Sequence, residues 1–204
     1  MSCCVYKIEV GQLQTNCYIL APAKSKECAI IDPGADYKAI RALINAKNLN
    51  PLFIVNTHGH ADHIMANTNF HLPVYIHEQD ALCLSDPARN LSYAFTAPVK
   101  QSISPQLLYD GDSIKLATLT IKVIYTPGHT LGSICLLCED VLFSGDTLFA
   151  LSVGRTDLPY GDEKQIINSI KNKLLILPDH TKVYPGHGPQ TTIAKEKKSN
   201  PWLC

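Results

Sequence analysis

At 204 residues the chain can bury a substantial core, and its 18 Lys and Arg balance 18 Asp and Glu, for a formal net charge of zero at pH 7. That balance leaves no general field to attract nucleic acid or an anionic membrane surface. No apolar run approaches the length of a membrane span, and the amino end, Met1 to Val10, alternates like a strand without a signal peptide's apolar core. The expected location is the cytoplasm. Eight scattered cysteines in a chain of this size read as buried and reduced rather than as a disulfide framework.

In chain order, Val5 to Val10 and Asn16 to Ala21 read as paired strands around a turn at Gln12-Leu13-Gln14. A third strand, Cys28 to Ile31, ends at Asp32-Pro33-Gly34. Asp36 has the chemistry to cap a helix with Ile40, Leu43 and Ile44 on one face, and Pro51 stops it. Pro51 to Asn56 is an apolar strand, Ile64 to Phe70 a short helix and Val74 to Ile76 another strand. Residues 85–106 hold three prolines and little periodicity, the profile of a lid or binding loop. Strands follow at Ser113 to Leu116, Leu119 to Tyr125, Ile134 to Cys138 and Val141 to Phe143. Asp162 with Gln165 opens a helix carrying Ile166, Ile170 and Leu174; Lys182 to Tyr184 is the last strand and Ile193 to Ser199 a polar helix. No repeat or linker interrupts residues 1–204, which read as a single domain.

The densest chemistry lies just past the Pro51 to Asn56 strand, in Thr57-His58-Gly59-His60-Ala61-Asp62-His63. Imidazole and carboxylate both suit divalent transition ions, and so tight a run reads as a loop wrapped around one ion or two. The same punctuation, an apolar strand followed by a glycine turn and a ligand-type side chain, recurs at Thr126-Pro127-Gly128-His129, Ser144-Gly145-Asp146 and Pro185-Gly186-His187. Four strand ends at one edge of a sheet would assemble two sites. His58, His60 and His129 would hold one ion, Asp62, His63 and His187 the other, and Asp146 would bridge them. His71, His77 and His180 lack this context and read as structural or surface groups. Cys135-x-x-Cys138 lies in an alternating apolar run and reads as core.

The motif Thr57 to His63, with His129, Asp146 and His187, resembles the metallo-β-lactamase-fold hydrolases. That resemblance runs from Thr15-Asn16-Cys17-Tyr18 to Pro185-Gly186-His187-Gly188. It implies an α/β fold, a four-layer αββα sandwich of two mixed sheets with helices outside and the metals at one edge. Gly145-Asp146-Thr147-Leu148-Phe149, Gly154-Arg155-Thr156-Asp157 and Asn200-Pro201-Trp202-Leu203 resemble the short bacterial members of the glyoxalase II group. Larger members of that group carry an additional helical domain that grips glutathione, and this chain ends about where it would begin. Arg155 falls where the group places a cationic substrate contact.

The implied activity is hydrolysis of a thioester, S-lactoylglutathione as the first choice, by a hydroxide held between two divalent ions, zinc above iron or manganese. Asp62 would orient that nucleophile, with Asp146 also catalytic. The expected partner is a small-molecule thioester, with neither nucleic acid nor membrane. Persulfide dioxygenases also resemble the chain. They use one iron held at the positions of His58, His129 and Asp146, a set suited to oxygen chemistry.

Overall fold

Every residue of Thr15–Pro22 is buried, which a strand achieves only when both of its faces are covered. Tyr18 and Leu20 point into a core shared with Ile121, Leu136 and Phe143, while Cys17, Ile19 and Ala21 face Ile40, Ile44 and Ile64 on the other side. The computed structural model describes residues 3–203. Met1, Ser2 and Cys204, which include the start of the alternating amino-terminal run and one of the eight cysteines, lie outside the described residues.

The first sheet has the strand order β1 (Cys3–Val10), β2 (Thr15–Pro22), β3 (Glu27–Ile31), β4 (Asn50–Val55), β5 (Val74–His77) and β6 (Gln106–Leu108). Its first two junctions are antiparallel and the remaining three parallel. Helix α1 (Tyr37–Ala46) and the short helices α2 (Ala61–Ile64) and α3 (Asn67–Phe70) lie between β3 and β5 in the chain. Strands β7 (Ser113–Leu116), β8 (Leu119–Tyr125), β9 (Ile134–Cys138) and β10 (Val141–Gly145) join the second sheet, and β11 (Leu148–Phe149) pairs with β12 (Ser152–Val153) as a separate hairpin. After α4 (Glu163–Ser169), β13 (Lys182–Pro185) and β14 (Thr191–Thr192) complete that sheet in the order β14-β13-β10-β9-β8-β7, and α5 (Ile193–Ser199) follows.

Three apolar clusters define four layers. One lies between the sheets; the second joins the first sheet to α1, and the third joins Cys135, Leu142 and Val183 to Ile166, Ile170 and Ile193 of the outer helices. The architecture is the expected αββα sandwich of two mixed sheets. No described helix is long and apolar enough to cross a membrane.

Several local expectations are corrected. The four ligand-bearing strand ends belong to two sheets, β4 to the first and β8, β10 and β13 to the second, and meet at one edge of the sandwich. Asp36 takes a left-handed conformation (φ 47°), and its carboxylate makes no cap; it accepts the Gly11 N–H at 2.8 Å instead. The Ile64 to Phe70 helix is two turns, the first beginning at Ala61, so Asp62 and His63 sit on a helical turn rather than a loop. Residues 85–106 are largely irregular, as read, but end in β6, whose three residues are too few to show a period. Asp162 does cap α4, accepting the Gln165 N–H at 2.9 Å. The helical path then continues through a π-type turn, Ile170–Leu174. Cys135 and Cys138 are fully buried in different clusters, as packing groups.

Candidate metal centre

Seven side chains converge where β4, β8, β10 and β13 end. The donor atoms of His58, His60 and His129 lie within 4.8 Å of one another, as do those of Asp62, His63 and His187. His60 Nδ1 stands 3.1 Å from His58 Nε2 and 3.0 Å from His129 Nε2; His63 Nε2 stands 3.3 Å from His187 Nε2. Asp146 lies between the two trios. Its Oδ2 is 3.6 Å from His129 Nε2 and 3.5 Å from His187 Nε2, and its Oδ1 is 3.5 Å from His63 Nε2.

The far sides of the rings settle what faces the centre. His129 Nδ1–H donates to Arg155 O at 2.8 Å, His187 Nδ1–H to Leu13 O at 3.0 Å, and His63 Nδ1–H to Asp32 Oδ2 at 3.0 Å. A carbonyl or carboxylate only accepts, so each neutral ring offers a bare Nε2 inward, the arrangement usual for metal-ligating histidines. Asp146 Oδ1 is buried without a hydrogen-bond partner. A Cβ at Gly186 would lie 2.1 Å from that same oxygen, so only glycine lets β13 approach it. Opposed lone pairs and an orphaned carboxylate oxygen are costly unless a cation lies among them, and imidazole with carboxylate suits a divalent transition ion. The residues present fit such ions.

Electrostatics divides the trios. Burial and then the surrounding imidazoles hold His58 well below the usual imidazole range and His60 at about 3. Burial opposes charge on His63 too, but Asp62, Asp146 and Asp32 together push it up to about 10. Partial burial opposes charge on Asp62 as well, yet His63 and His187 keep its carboxyl well below the ordinary carboxylate range. The carboxylates around the second trio therefore favour positive charge among its donors, which a bound cation can supply.

Three polar residues that sequence reasoning assigned no part in the site hold these donor side chains in place. Asp32, left-handed at φ 52°, accepts from Thr57 N at 2.8 Å, Thr57 Oγ1 at 2.6 Å and His63 Nδ1. Asp80, 2% exposed, accepts from Gly59 N, Gly132 N and Thr130 Oγ1, and so ties the His58–His60 loop to the His129 loop. Asn16 clamps the His187 turn, its Nδ2 donating to Pro185 O and Gly188 O, both at 2.9 Å. The signal available in sequence was slight, an Asp32-Pro33-Gly34 strand end and lone polar residues in apolar runs. Replacing Asp32 by asparagine keeps an acceptor for Thr57 N but turns an amide toward His63 Nδ1. It should lower metal affinity at the second trio about 10- to 100-fold. Competitive chelator titration measures this, and unchanged affinity would remove Asp32 from the ligand-orienting role.

A cavity of about 480 Å³ opens in front of His60, Asp62, His129, Asp146 and His187. Its walls are mainly apolar, with Leu91 and Phe95 from the 85–106 segment and Phe149 and Val153 from the β11–β12 hairpin. Arg155 is the one lysine or arginine among its described lining residues. The guanidinium is already engaged, Nε and Nη2 each donating at 2.8 Å to the two carboxylate oxygens of Asp157. His71 and His180 take no part in the cluster, while His77 stacks on Tyr125 at 4.3 Å between centroids.

The sequence profile of the Metallo-beta-lactamase superfamily matches residues 10–187. The chain belongs to that superfamily. Similar proteins include the probable metallo-hydrolase YqgX of Bacillus subtilis, 36% identical over 97% of this chain and 96% of its own. Hydroxyacylglutathione hydrolase GloC of Haemophilus influenzae is 34% identical over 96% of each chain. Among solved structures, BLEG-1 B3 metallo-beta-lactamase shares 42% identity and a TM-score of 0.93, covering 98% of this chain and 99% of that one. TTHA1623 in a di-iron-bound form shares 36% identity and a TM-score of 0.86, covering 97% and 100%. The superfamily's members are metal-dependent hydrolases, and the His/Asp cluster stands where this chain's donors meet.

Proposed function

We propose that the protein is a cytoplasmic thioester hydrolase acting on a hydroxyacyl thioester such as S-lactoylglutathione. In this reading His58, His60 and His129 hold one divalent ion, Asp62, His63 and His187 a second, and Asp146 contacts both. The observation that carries the proposal is the pair of inward-facing donor trios, with Asp146 between them, opening on one cavity. Zinc is the expected metal; iron or manganese would meet the same donors, and a relative binds two irons. When bound, two such ions supply the acidity that makes water a nucleophile at neutral pH and the charge that faces a carbonyl oxygen.

The chain's own residues do the rest. Asp62, fixed by the Thr15 hydroxyl at 2.9 Å, keeps an ionised carboxylate that accepts a hydrogen bond from water and so aims its lone pair. The apolar walls limit competing solvent. A thiol, with an ordinary pKa near 8.5, leaves as thiolate without a proton donor, whereas an amine would need one. GloC, a hydroxyacylglutathione hydrolase, supports the glutathione carrier. BLEG-1 supports a second hydrolytic reading, a β-lactam substrate.

The test is metal analysis of protein purified without added metal, followed by assays of S-lactoylglutathione, a β-lactam and oxygen uptake with a persulfide. Two metals and preferential thioester cleavage are expected. One iron with oxygen uptake, or preference for the β-lactam, would replace this assignment.

Arg155 is the proposed contact for a glutathione carboxylate. To grip one it must share or surrender Asp157, an exposed partner of modest worth. The net contact should therefore be worth about 1–2 kcal/mol, less than a charge-assisted bond made from a free guanidinium. Arg155→Ala should lower kcat/KM for S-lactoylglutathione about five- to thirtyfold, mainly through KM, and spare a neutral lactoyl thioester that lacks the glycine carboxylate. Equal loss on both substrates would make Arg155 a structural residue.

A further inference from the structure

The cavity in front of the donors is one of two lined by Asp62. The other, about 200 Å³, shares Leu13, Phe95 and Asp62 as walls with the first. Its remaining lining is apolar on one side, from Val10, Ala35 and Met65, with the side chains of Gln12 and Thr96 as polar points. Its floor is a built feature. The β1–β2 turn is tied to the start of α1 by the Gly11 N–H to Asp36 bond, which draws Asp36 out of its capping role into a left-handed conformation. Gly11 and Ala35 then meet so closely that a Cβ on Gly11 would lie 3.1 Å from that of Ala35.

A thioester presents two arms from one carbonyl carbon, so a site that attacks that carbon needs two spaces meeting beside the nucleophile. We infer that the smaller chamber is the acyl subsite and the larger cavity receives the thiol carrier. This rests on the thioester reading above. The larger space runs past Phe149 to the exposed Arg155, where a long carrier can continue outward. The smaller holds roughly six or seven groups of water size, at about 30 Å³ each. That suits a lactoyl group with room to spare, or an aliphatic acyl chain of about six carbons. No lysine or arginine appears among its described walls, and Asp62 is one of them. An acyl group with its own carboxylate finds no cationic side chain to pair with there, whereas a hydroxyl has Gln12 and Thr96 as polar neighbours. The substrate class is a short, uncharged acyl thioester.

The test uses the metal-loaded protein with thioesters of one carrier, from acetyl to octanoyl and including succinyl. Specificity constants are measured for the parent, Ala35→Leu, which fills the chamber, and Met65→Ala, which enlarges it. Ketone analogues of the same lengths, with the thioester sulfur replaced by methylene, report binding by calorimetry without turnover. In the parent, kcat/KM should rise about fourfold per buried methylene up to about hexanoyl, then fall. Succinyl should lie at least about tenfold below butyryl, its uncharged counterpart. Ala35→Leu should move the optimum to shorter chains, and Met65→Ala to longer ones, with calorimetric affinities shifting in parallel and metal content unchanged. If thioesters are cleaved but both variants lower every chain length equally, or leave the profile in place, or succinyl matches butyryl, the acyl assignment falls and the thioester reading stands. If the loaded parent neither cleaves a thioester nor binds a ketone analogue, the thioester reading falls and takes this inference with it.

Discussion

Replacing Asp146 by alanine should strip metal from both halves of the centre and reduce hydrolysis to background. Both trios approach this one carboxylate, His129 and His187 from the Oδ2 side and His63 from the Oδ1 side, at 3.5–3.6 Å. No second carboxylate can take its place, because Asp62 belongs to one trio and is held there by Thr15 and His187. Without Asp146 five imidazoles face one another with one fewer negative charge among them, which disfavours two divalent ions in close company. The fold should survive, since Asp146 Oδ1 forms no hydrogen bond within the protein and the turn is set by Gly145 and Gly186. Metal counting, a thioester assay and thermal unfolding of the metal-free variant separate lost ligation from misfolding. A variant that keeps two metals and a near-normal rate would take Asp146 out of the centre.

The donor cluster was legible in sequence because ligation chemistry is concentrated in few residue types and this fold repeats one local device. A strand end, a glycine and a donor can be read at His129, Asp146 and His187 without knowing where the strands lie. What could not be read was how they are held. Asp80 reaches Gly59 across 21 residues and Gly132 across 52, and Asn16 reaches Gly188 across 172. Such contacts leave no periodic trace; a buried asparagine or aspartate looks like any turn residue until its donors are placed around it. The same holds for Glu196. It sits in an apparently polar helix, yet it is fully buried, accepting from Leu151 N and the Thr191 hydroxyl, and so braces the hairpin that walls the cavity.

Local chemistry also misled where a tertiary bond outcompeted it. Asp36 has the right residue type to cap α1, but it spends its carboxylate on Gly11, and the left-handed backbone follows. The dense motif suggested a loop for all its ligands, yet Ala61 N–H donates to Asn90 O at 2.8 Å and opens a helical turn. That turn brings Asp62 and His63 to His187, with the His63 ring also packed 4.1 Å from that of His58. With it, four donors adjacent in sequence fall into two trios rather than one.

His187→Ala should leave about one metal per chain and little thioesterase activity, and it separates the two leading chemistries. His187 reaches the centre from the second sheet, its ring fixed by Leu13 O and its Nε2 3.3 Å from both Asp62 Oδ2 and His63 Nε2. It groups with Asp62 and His63, while His58, His60 and His129 converge without it. At 28% side-chain exposure it is also the ligand nearest solvent, so its truncation should cost little packing. A dinuclear hydrolase loses one of the two charges that generate its nucleophile and should fail on every thioester tested. A one-iron oxygenase built on His58, His129 and Asp146 keeps its whole ligand set and should retain most of its oxygen uptake with a persulfide. Metal content and the two rates, measured on the same preparation, therefore point in opposite directions for the two chemistries. Retention of full thioesterase activity with one metal would refute the dinuclear assignment even if the substrate class is right.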